Sequence, residues 1–369
     1  MQSDAIAHTR SDPLVSVVLP VRNGLPYLSA AVDSILNQSY RNFELIVVDD
    51  GSIDDGRNWL AVRAVQDDRL RLIVNPGRGL VEALNYGIDQ ACGTYIARMD
   101  ADDIALPERF TLQVSFLEAH PEIAVLGTQA THIDENGDSL GYSTSYPTDP
   151  SALSRSLAEK GCTLLHPTAM ARRTAVLEAG GYRSVTETAE DYDLWLRLDE
   201  RFSLANLPET LLRYRRHPKQ VSNGVNWRQR LARDLALLSA RERRAGRPDP
   251  LNDLEHEMGT RPFLEVMDSA RALELRKLHN AYLGAGLLEK GSKLLDVHQA
   301  QVIIEAARGR YFGDGGKLRC EIAARAAMSS FKARYWRPAA EAALLSLSMA
   351  PGRALSAMLG RNARGAFRY

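Results

Sequence analysis

Short apolar, β-branched runs alternate with helical spacing through the first half of the chain. Val15-Ser-Val-Val-Leu19, Phe43-Glu-Leu-Ile-Val-Val48, Leu70-Arg-Leu-Ile-Val74 and Thr94-Tyr-Ile-Ala97 predict strands. Residues 26–38, 54–66 and 79–91 between them carry helical periodicity; in the last, Leu80, Ala83, Leu84 and Ile88 share one face. Strand–helix–strand alternation implies right-handed crossovers and a mostly parallel, Rossmann-like α/β sheet flanked by helices. Ligands of such sheets sit outside the carboxyl ends of the strands. The loops Pro20-Val-Arg-Asn-Gly24, Asp49-Asp50-Gly51-Ser52 and Asp100–Asp103, each following a strand, are therefore expected on one rim.

Beyond residue 104 the alternation loosens. Leu106–His120 reads as a helix opened by Pro107, and Ile123-Ala-Val-Leu126 as a buried strand. Residues 128–149 are turn-rich and predict small antiparallel pieces; 172–179 and 191–201 read as helices, and Leu211–Arg215 as a last short strand. From about residue 226 the chain turns to Ala, Leu, Arg and Glu at helical spacing. The expected organisation is a flexible N-terminus (1–13), an α/β domain (14–225) and an all-helical C-terminal domain (226–369).

Composition narrows the class. With 369 residues, 45% hydrophobic and 25% charged, the chain has ample material for a globular core. Three widely spaced cysteines fit a reducing compartment, and no run of about 18 apolar residues predicts a spanning helix. A cytoplasmic protein is expected. Net charge is zero but uneven: residues 228–369 carry 25 Lys/Arg against 15 Asp/Glu, and residues 1–227 carry 21 against 31. The basic half suits peripheral contact with an anionic membrane, or simply a solvated or packed helical face. No nucleic-acid partner is expected.

The chemistry concentrates in Arg98-Met-Asp-Ala-Asp-Asp103, three carboxylates directly after a predicted strand. Carboxylates packed so tightly repel one another unless a cation joins them. Hard ions such as Mg²⁺ or Mn²⁺ take one or two protein oxygens, with water and substrate phosphate completing the shell. The alternative is a helix N-cap and an acidic first turn. A second acidic centre, Glu190-Asp191, stands at the mouth of a helix whose Leu194, Trp195 and Leu198 form an apolar face. A carboxylate there is rigidly aimed and can act as a general base, or can simply charge the first turn. Metal plus base is the minimum equipment for moving a group from a diphosphate to a hydroxyl.

Val17-Val-Leu-Pro-Val-Arg-Asn-Gly24, Val47-Val-Asp-Asp-Gly-Ser52, Gly79-Leu-Val-Glu-Ala-Leu-Asn-Tyr-Gly87, Arg98–Asp103, His166-Pro-Thr168 and Glu190-Asp-Tyr-Asp-Leu-Trp195 occur in that order. Over residues 14–220 the chain thereby resembles the inverting family-2 glycosyltransferases of the GT-A fold. The resemblance implies a nucleotide-base pocket from Pro20, Val21, Arg22, Asn23, Asp49 and Asp50, with Arg78 close by. It implies donor contacts from Asp100, Ala101 and Asp103, and metal ligation by Asp102 with Mn²⁺ or Mg²⁺. Asp191 becomes the base, Glu190 its neighbour in the acceptor site, and His166 and the Arg215-Arg-His217 loop close over the diphosphate.

The implied partners are a nucleotide-diphosphate sugar, a UDP-sugar being the expected donor, and a saccharide or lipid-linked saccharide acceptor. Processive members carry spanning helices and a Gln-x-x-Arg-Trp motif, and this chain has only Trp227-Arg-Gln-Arg230. A non-processive transferase of surface-polysaccharide or glycolipid synthesis is expected. Two alternatives stay open. A sugar nucleotidyltransferase would want a glycine-rich loop where Pro20–Pro26 stands, and a silent scaffold would act through its helical half.

Overall fold

A computed structural model describes residues 12–75, 79–159, 161–218, 220, 227–252 and 343–344. In chain order its elements are β1 (Val15–Val21), α1 (Leu28–Leu36), β2 (Phe43–Asp50), α2 (Gly56–Gln66), β3 (Leu70–Asn75), α3 (Leu80–Asp89), β4 (Tyr95–Arg98), β5 (Ile104–Ala105) and α4 (Arg109–Ala119). Then come β6 (Ile123–Ile133), β7 (Ser139–Ser143), α5 (Pro150–Glu159), β8 (Met170–Arg172), α6 (Arg173–Glu178), α7 (Glu190–Asp199), β9 (Ser203–Arg215) and α8 (Trp227–Arg244). The chain divides into two compact units: Met1–Tyr182 with Leu194–Gln220, and Arg183–Asp193 with Val221–Tyr369.

The first unit is built on a nine-stranded sheet of order β3-β2-β1-β4-β8-β6-β9-β5, with β7 paired to β6. β1, β2, β3 and β4 run parallel, as their crossover helices require. Past β4 the sheet becomes mixed: β8 is antiparallel to β4 and β6, β9 is parallel to β6, and β5 is antiparallel to β9. The parallel pairing expected from the sequence thus holds for β1 to β4 and again for β6 with β9, while β8, β5 and β7 enter the sheet antiparallel.

All of β1 is buried, which is why it reads as an apolar run without alternation. α1 lays Leu28, Ala31, Val32, Ile35 and Leu36 into the core. α3 buries Val81, Ala83, Leu84 and Ile88, and its Gly87 permits close approach, since a Cβ there would lie 2.6 Å from Val18 Cγ1. Two buried polar side chains tie α4 to the sheet. Arg109 donates to the Arg98 carbonyl at 2.9 Å, and Gln113 to the carbonyls of Leu126 and Thr168 at 2.8 Å each.

The register fixes the rim. Val21 of β1 is level with Asp49 of β2, and Val18 with Arg98 of β4, so the loops after all three strands leave the sheet at one end. Of the segment expected to be all-helical, α8 is helical and most of the remainder lies outside the described residues. The first eleven residues and Arg78 also lie outside them. No helix among the described residues is long and apolar enough to cross a membrane.

Candidate active site

At the rim, the loops after β1 and β2 are fastened to each other. The Asn23 amide donates to Ser52 Oγ at 2.9 Å, the Ile53 amide to Asn23 Oδ1 at 2.8 Å, and the Leu25 amide to Asp54 Oδ2 at 3.1 Å. Asn23 adopts the left-handed region (φ 54), where asparagine is among the more tolerant residues. Pro20 and Val21 are buried, whereas Arg22 and Asn23 are exposed.

Both carboxylates that end β2 are buried and engaged. Asp49 accepts the Ser52 amide at 3.0 Å and pairs with Arg57. Asp50 accepts Asn75 Nδ2 at 2.9 Å and the Gly79 amide at 3.0 Å. Together they hold the Gly51 turn, the end of β3 and the start of α3 in register.

The acidic loop follows β4. One carboxylate oxygen from each of Asp100, Asp102 and Asp103 lies within 4.8 Å of the others. Arg98 pairs with Asp100, and His217 Nε2 lies 2.9 Å from Asp102 Oδ2. Asp103 is fully buried; its Oδ1 accepts the Arg215 amide at 2.8 Å, while Oδ2 has no hydrogen-bond partner among the described residues. Burial and then the charge of Asp100 raise the Asp102 carboxyl, against the hydrogen bond and charge of His217. Burial, followed by the charges of Asp100 and Asp102, pushes Asp103 well above the usual carboxylate range. The Arg215 amide and Arg98 oppose that rise. Hard oxygen donors, mutual repulsion and an orphaned buried oxygen together fit a divalent cation.

Arg215 closes the acidic loop from behind. It is 4% exposed, and its guanidinium faces inward, donating to the carbonyls of Asp102 (2.8 Å), Asp134 (3.0 Å) and Glu135 (3.1 Å). It also lies over the Tyr27 ring, 4.6 Å from the centroid, and His217 meets the same ring at 5.0 Å. Arg215 thus acts as a scaffold for the acidic loop. That task was not readable from sequence, because the carbonyls it serves belong to backbone far away in the chain.

His166 is buried, shares a 2.7 Å hydrogen bond with the Tyr182 hydroxyl and meets the Trp195 ring edge-on, with centroids 6.0 Å apart. Burial, then the charge of Arg98, holds its pKa well below the ordinary value. That shift favours the neutral imidazole, which the Tyr182 hydroxyl can hydrogen-bond. Ala101, half-buried in the acidic loop, offers backbone only.

Glu190 and Asp191 open α7 and fall in the second unit. Glu190 is 6% exposed and accepts the Thr188 amide at 2.8 Å, and Asp191 Oδ1 accepts the Tyr192 amide at 2.7 Å. The acidic loop and its supports are therefore gathered in one unit and the predicted base in the other.

The Glycosyl transferase family 2 profile matches residues 16–180. EpsE of Bacillus subtilis (strain 168) is 40% identical over 211 residues, 56% of this chain and 74% of that protein. The O-antigen biosynthesis glycosyltransferase WbnJ of Escherichia coli is 34% identical over 216 residues, 58% of this chain and 83% of WbnJ. Among solved structures, S. aureus TarS 1-349 in complex with UDP-GlcNAc superposes with a TM-score of 0.55 at 16% identity, covering 95% of this chain and 93% of that one. That likeness is one of fold, and the fold is GT-A. The chain belongs to glycosyltransferase family 2.

Proposed function

We propose that this glycosyltransferase is a non-processive, inverting enzyme that moves one sugar from a nucleotide-diphosphate sugar to a hydroxyl acceptor. The observation that carries the reading is the carboxylate cluster Asp100, Asp102 and Asp103 on the rim where the parallel strands β1, β2 and β4 end. A UDP-sugar is the proposed donor, since TarS of similar fold binds UDP-GlcNAc. A saccharide or lipid-linked saccharide acceptor is proposed, and the O-antigen biosynthesis glycosyltransferase WbnJ supports a place in surface-polysaccharide or glycolipid synthesis.

In this reading the Asn23–Ser52 clasp and the Asp49–Asp50 pair shape the pocket for the nucleoside. Asp102, with Asp103 behind it, would hold Mn²⁺ or Mg²⁺, which when bound neutralises charge on the departing diphosphate. Arg98 keeps Asp100 turned within the cluster. Asp191 accepts the proton of the acceptor hydroxyl as that oxygen attacks the anomeric carbon from the face opposite the leaving group. General-base assistance of this kind is worth about 10²–10⁴ in rate. Glu190, tied to the Thr188 amide, lies beside it in the acceptor site.

The test is thermal stabilisation by a panel of nucleoside diphosphates and nucleotide sugars, each with and without Mn²⁺. A metal-dependent shift with one nucleotide is expected in the wild type and in Asp191→Asn, and is expected to vanish in Asp102→Ala. Turnover should be lost in both variants. No shift with any nucleotide in folded protein would favour the scaffold reading. Pyrophosphate release from a nucleoside triphosphate and a sugar phosphate would favour the nucleotidyltransferase.

A further inference from the structure

Asp191 follows closely on a backbone conformation that threonine rarely adopts: Thr188 has φ 82. A β-branched residue stays in that region only where its surroundings over-determine it. Local bonds shape the turn. The Thr188 amide reaches Glu190, the Ala189 amide reaches the Thr186 carbonyl at 2.9 Å, and the Asp193 amide reaches the Ala189 carbonyl at 3.1 Å.

Asp193 supplies a further anchor. Its carboxylate is fully buried and held by both arms of Arg183, with Nε 2.9 Å from Oδ2 and Nη2 bonded to Oδ1. Arg183, 6% exposed, also donates through Nη1 to Asp249 Oδ2 at 2.8 Å and to Asn252 Oδ1 at 3.3 Å, and through Nη2 to Ser239 Oγ at 3.3 Å. Ser239 of α8 donates to Asp249 Oδ1 at 2.6 Å, Arg243 donates to Asp249 Oδ2 at 2.6 Å, and the Leu251 amide closes on Asp249 at 2.9 Å. One buried guanidinium thus joins the turn that carries Asp191 to α8 and to the segment after it.

The chemistry of the network argues for direction more than for strength. A buried ion pair often stabilises no more than apolar residues of the same volume would, so its value here is geometric. The planar fork of arginine can grip Asp193 bidentately while a further N–H reaches Asp249, which a lysine ammonium cannot reproduce. Burial pushes Asp249 up, but Arg183 and the bonds from Ser239 and Leu251 bring it down to about 2, so the anchor stays ionised.

We infer that α8 and residues 249–252 belong to the catalytic machinery: the Arg183–Asp193–Asp249–Ser239 network fixes the direction in which α7 presents Asp191. Arg183 is a positioning residue, and the inference rests on Asp191 being the base.

The test uses the full chain carrying Arg183→Lys, read first by amide hydrogen exchange, which needs no substrate. The amides of Thr188, Ala189, Tyr192 and Asp193 are expected to exchange at least about 10-fold faster, with the β1, β2 and β4 amides unchanged. Affinity for UDP with Mn²⁺ should match the wild type, while kcat falls about 10²-fold at unchanged donor KM, the scale of a misplaced catalytic group. Should Arg183→Lys unfold the chain, Ser239→Ala, which removes one hydroxyl, should loosen the same amides and lower kcat to a smaller extent. Wild-type exchange at those amides in the folded variant overturns the network's role. Loosened amides with unchanged kcat overturn its role in catalysis. Turnover absent even from the wild type would count against the transferase reading and leave the exchange result standing.

Discussion

Replacing Arg215 by methionine tests whether the acidic loop owes its shape to one buried guanidinium. The variant keeps a long stem but loses three bonds to carbonyls, at 2.8, 3.0 and 3.1 Å, and the contact with Tyr27. The carbonyl of Glu135, at an exposed turn, can take water instead, and that of Asp134 is half-buried. The Asp102 carbonyl is the main loss, since a hydrogen bond from a charged donor contributes about 1.5–3 kcal/mol. The cation–π contact adds about 0.5–2 kcal/mol in a desolvated setting. The expected loss is roughly 2–5 kcal/mol. Urea unfolding of metal-free protein would measure it. Because the same carbonyl and the Arg215 amide frame Asp102 and Asp103, affinity for UDP with Mn²⁺ should also fall, about 10-fold by calorimetry, for a coupling of about 1.4 kcal/mol. A stability change within about 0.5 kcal/mol, the size of an ordinary surface substitution, together with unchanged affinity would refute the scaffold role.

Asp103→Asn should raise the thermal midpoint of metal-free protein, because it removes a buried like charge while Oδ1 can still accept the Arg215 amide. The same variant should lose the Mn²⁺-dependent shift, and retention of that shift would exclude Asp103 from the metal's surroundings. His166, buried neutral, has a folded pKa well below 6.5, so the unfolded chain protonates first. The stability it confers is present above that pH and is lost as pH falls below it, by up to about 1.4 kcal/mol per pH unit. His166→Gln should therefore lose less stability than wild type between pH 7 and 5.5. His132, lowered to about 4 by burial and then by Arg216, acts in the same direction in both proteins. Equal pH slopes for the two would contradict the buried neutral imidazole.

The parallel half of the sheet was legible in the sequence because strands buried on both faces must be apolar runs, and β1 and β2 are such runs. The mixed half was only partly legible. β6 continues past Leu126 through Gly127 and the buried polar Thr128 and Gln129, where the Thr128 amide donates to Thr168 Oγ1 and Gln129 Nε2 to the Leu207 carbonyl, both distant in sequence. Periodicity has no symbol for such residues. β9 begins at Ser203, well before the Leu211 read from sequence, because Pro208-Glu-Thr interrupts the apolar pattern where the ladder with β6 shifts register. β7 is exposed throughout and carries no burial signal. At the site, three carboxylates in four positions announce themselves, since charge density is a local property. The tasks of Arg215 and Arg183 do not, because each depends on carbonyls or carboxylates that only the folded chain assembles. Asp49 and Asp50 read from sequence as pocket residues, and what the structure shows of them is that both hold loops together.

The acidic loop takes its closing contacts from the far end of β9. Asp103 is bonded to a residue 112 positions later, and Asp102 to one 115 positions later. During synthesis the first four parallel strands and their helices can emerge and pair while those partners have not yet been made. The nascent chain carries its three acids unframed until residue 217 has left the ribosome and β9 has docked beside β6. The framing of the acidic loop therefore arrives late, as a property of the completed sheet, and a chain interrupted before that point would hold the motif without its frame.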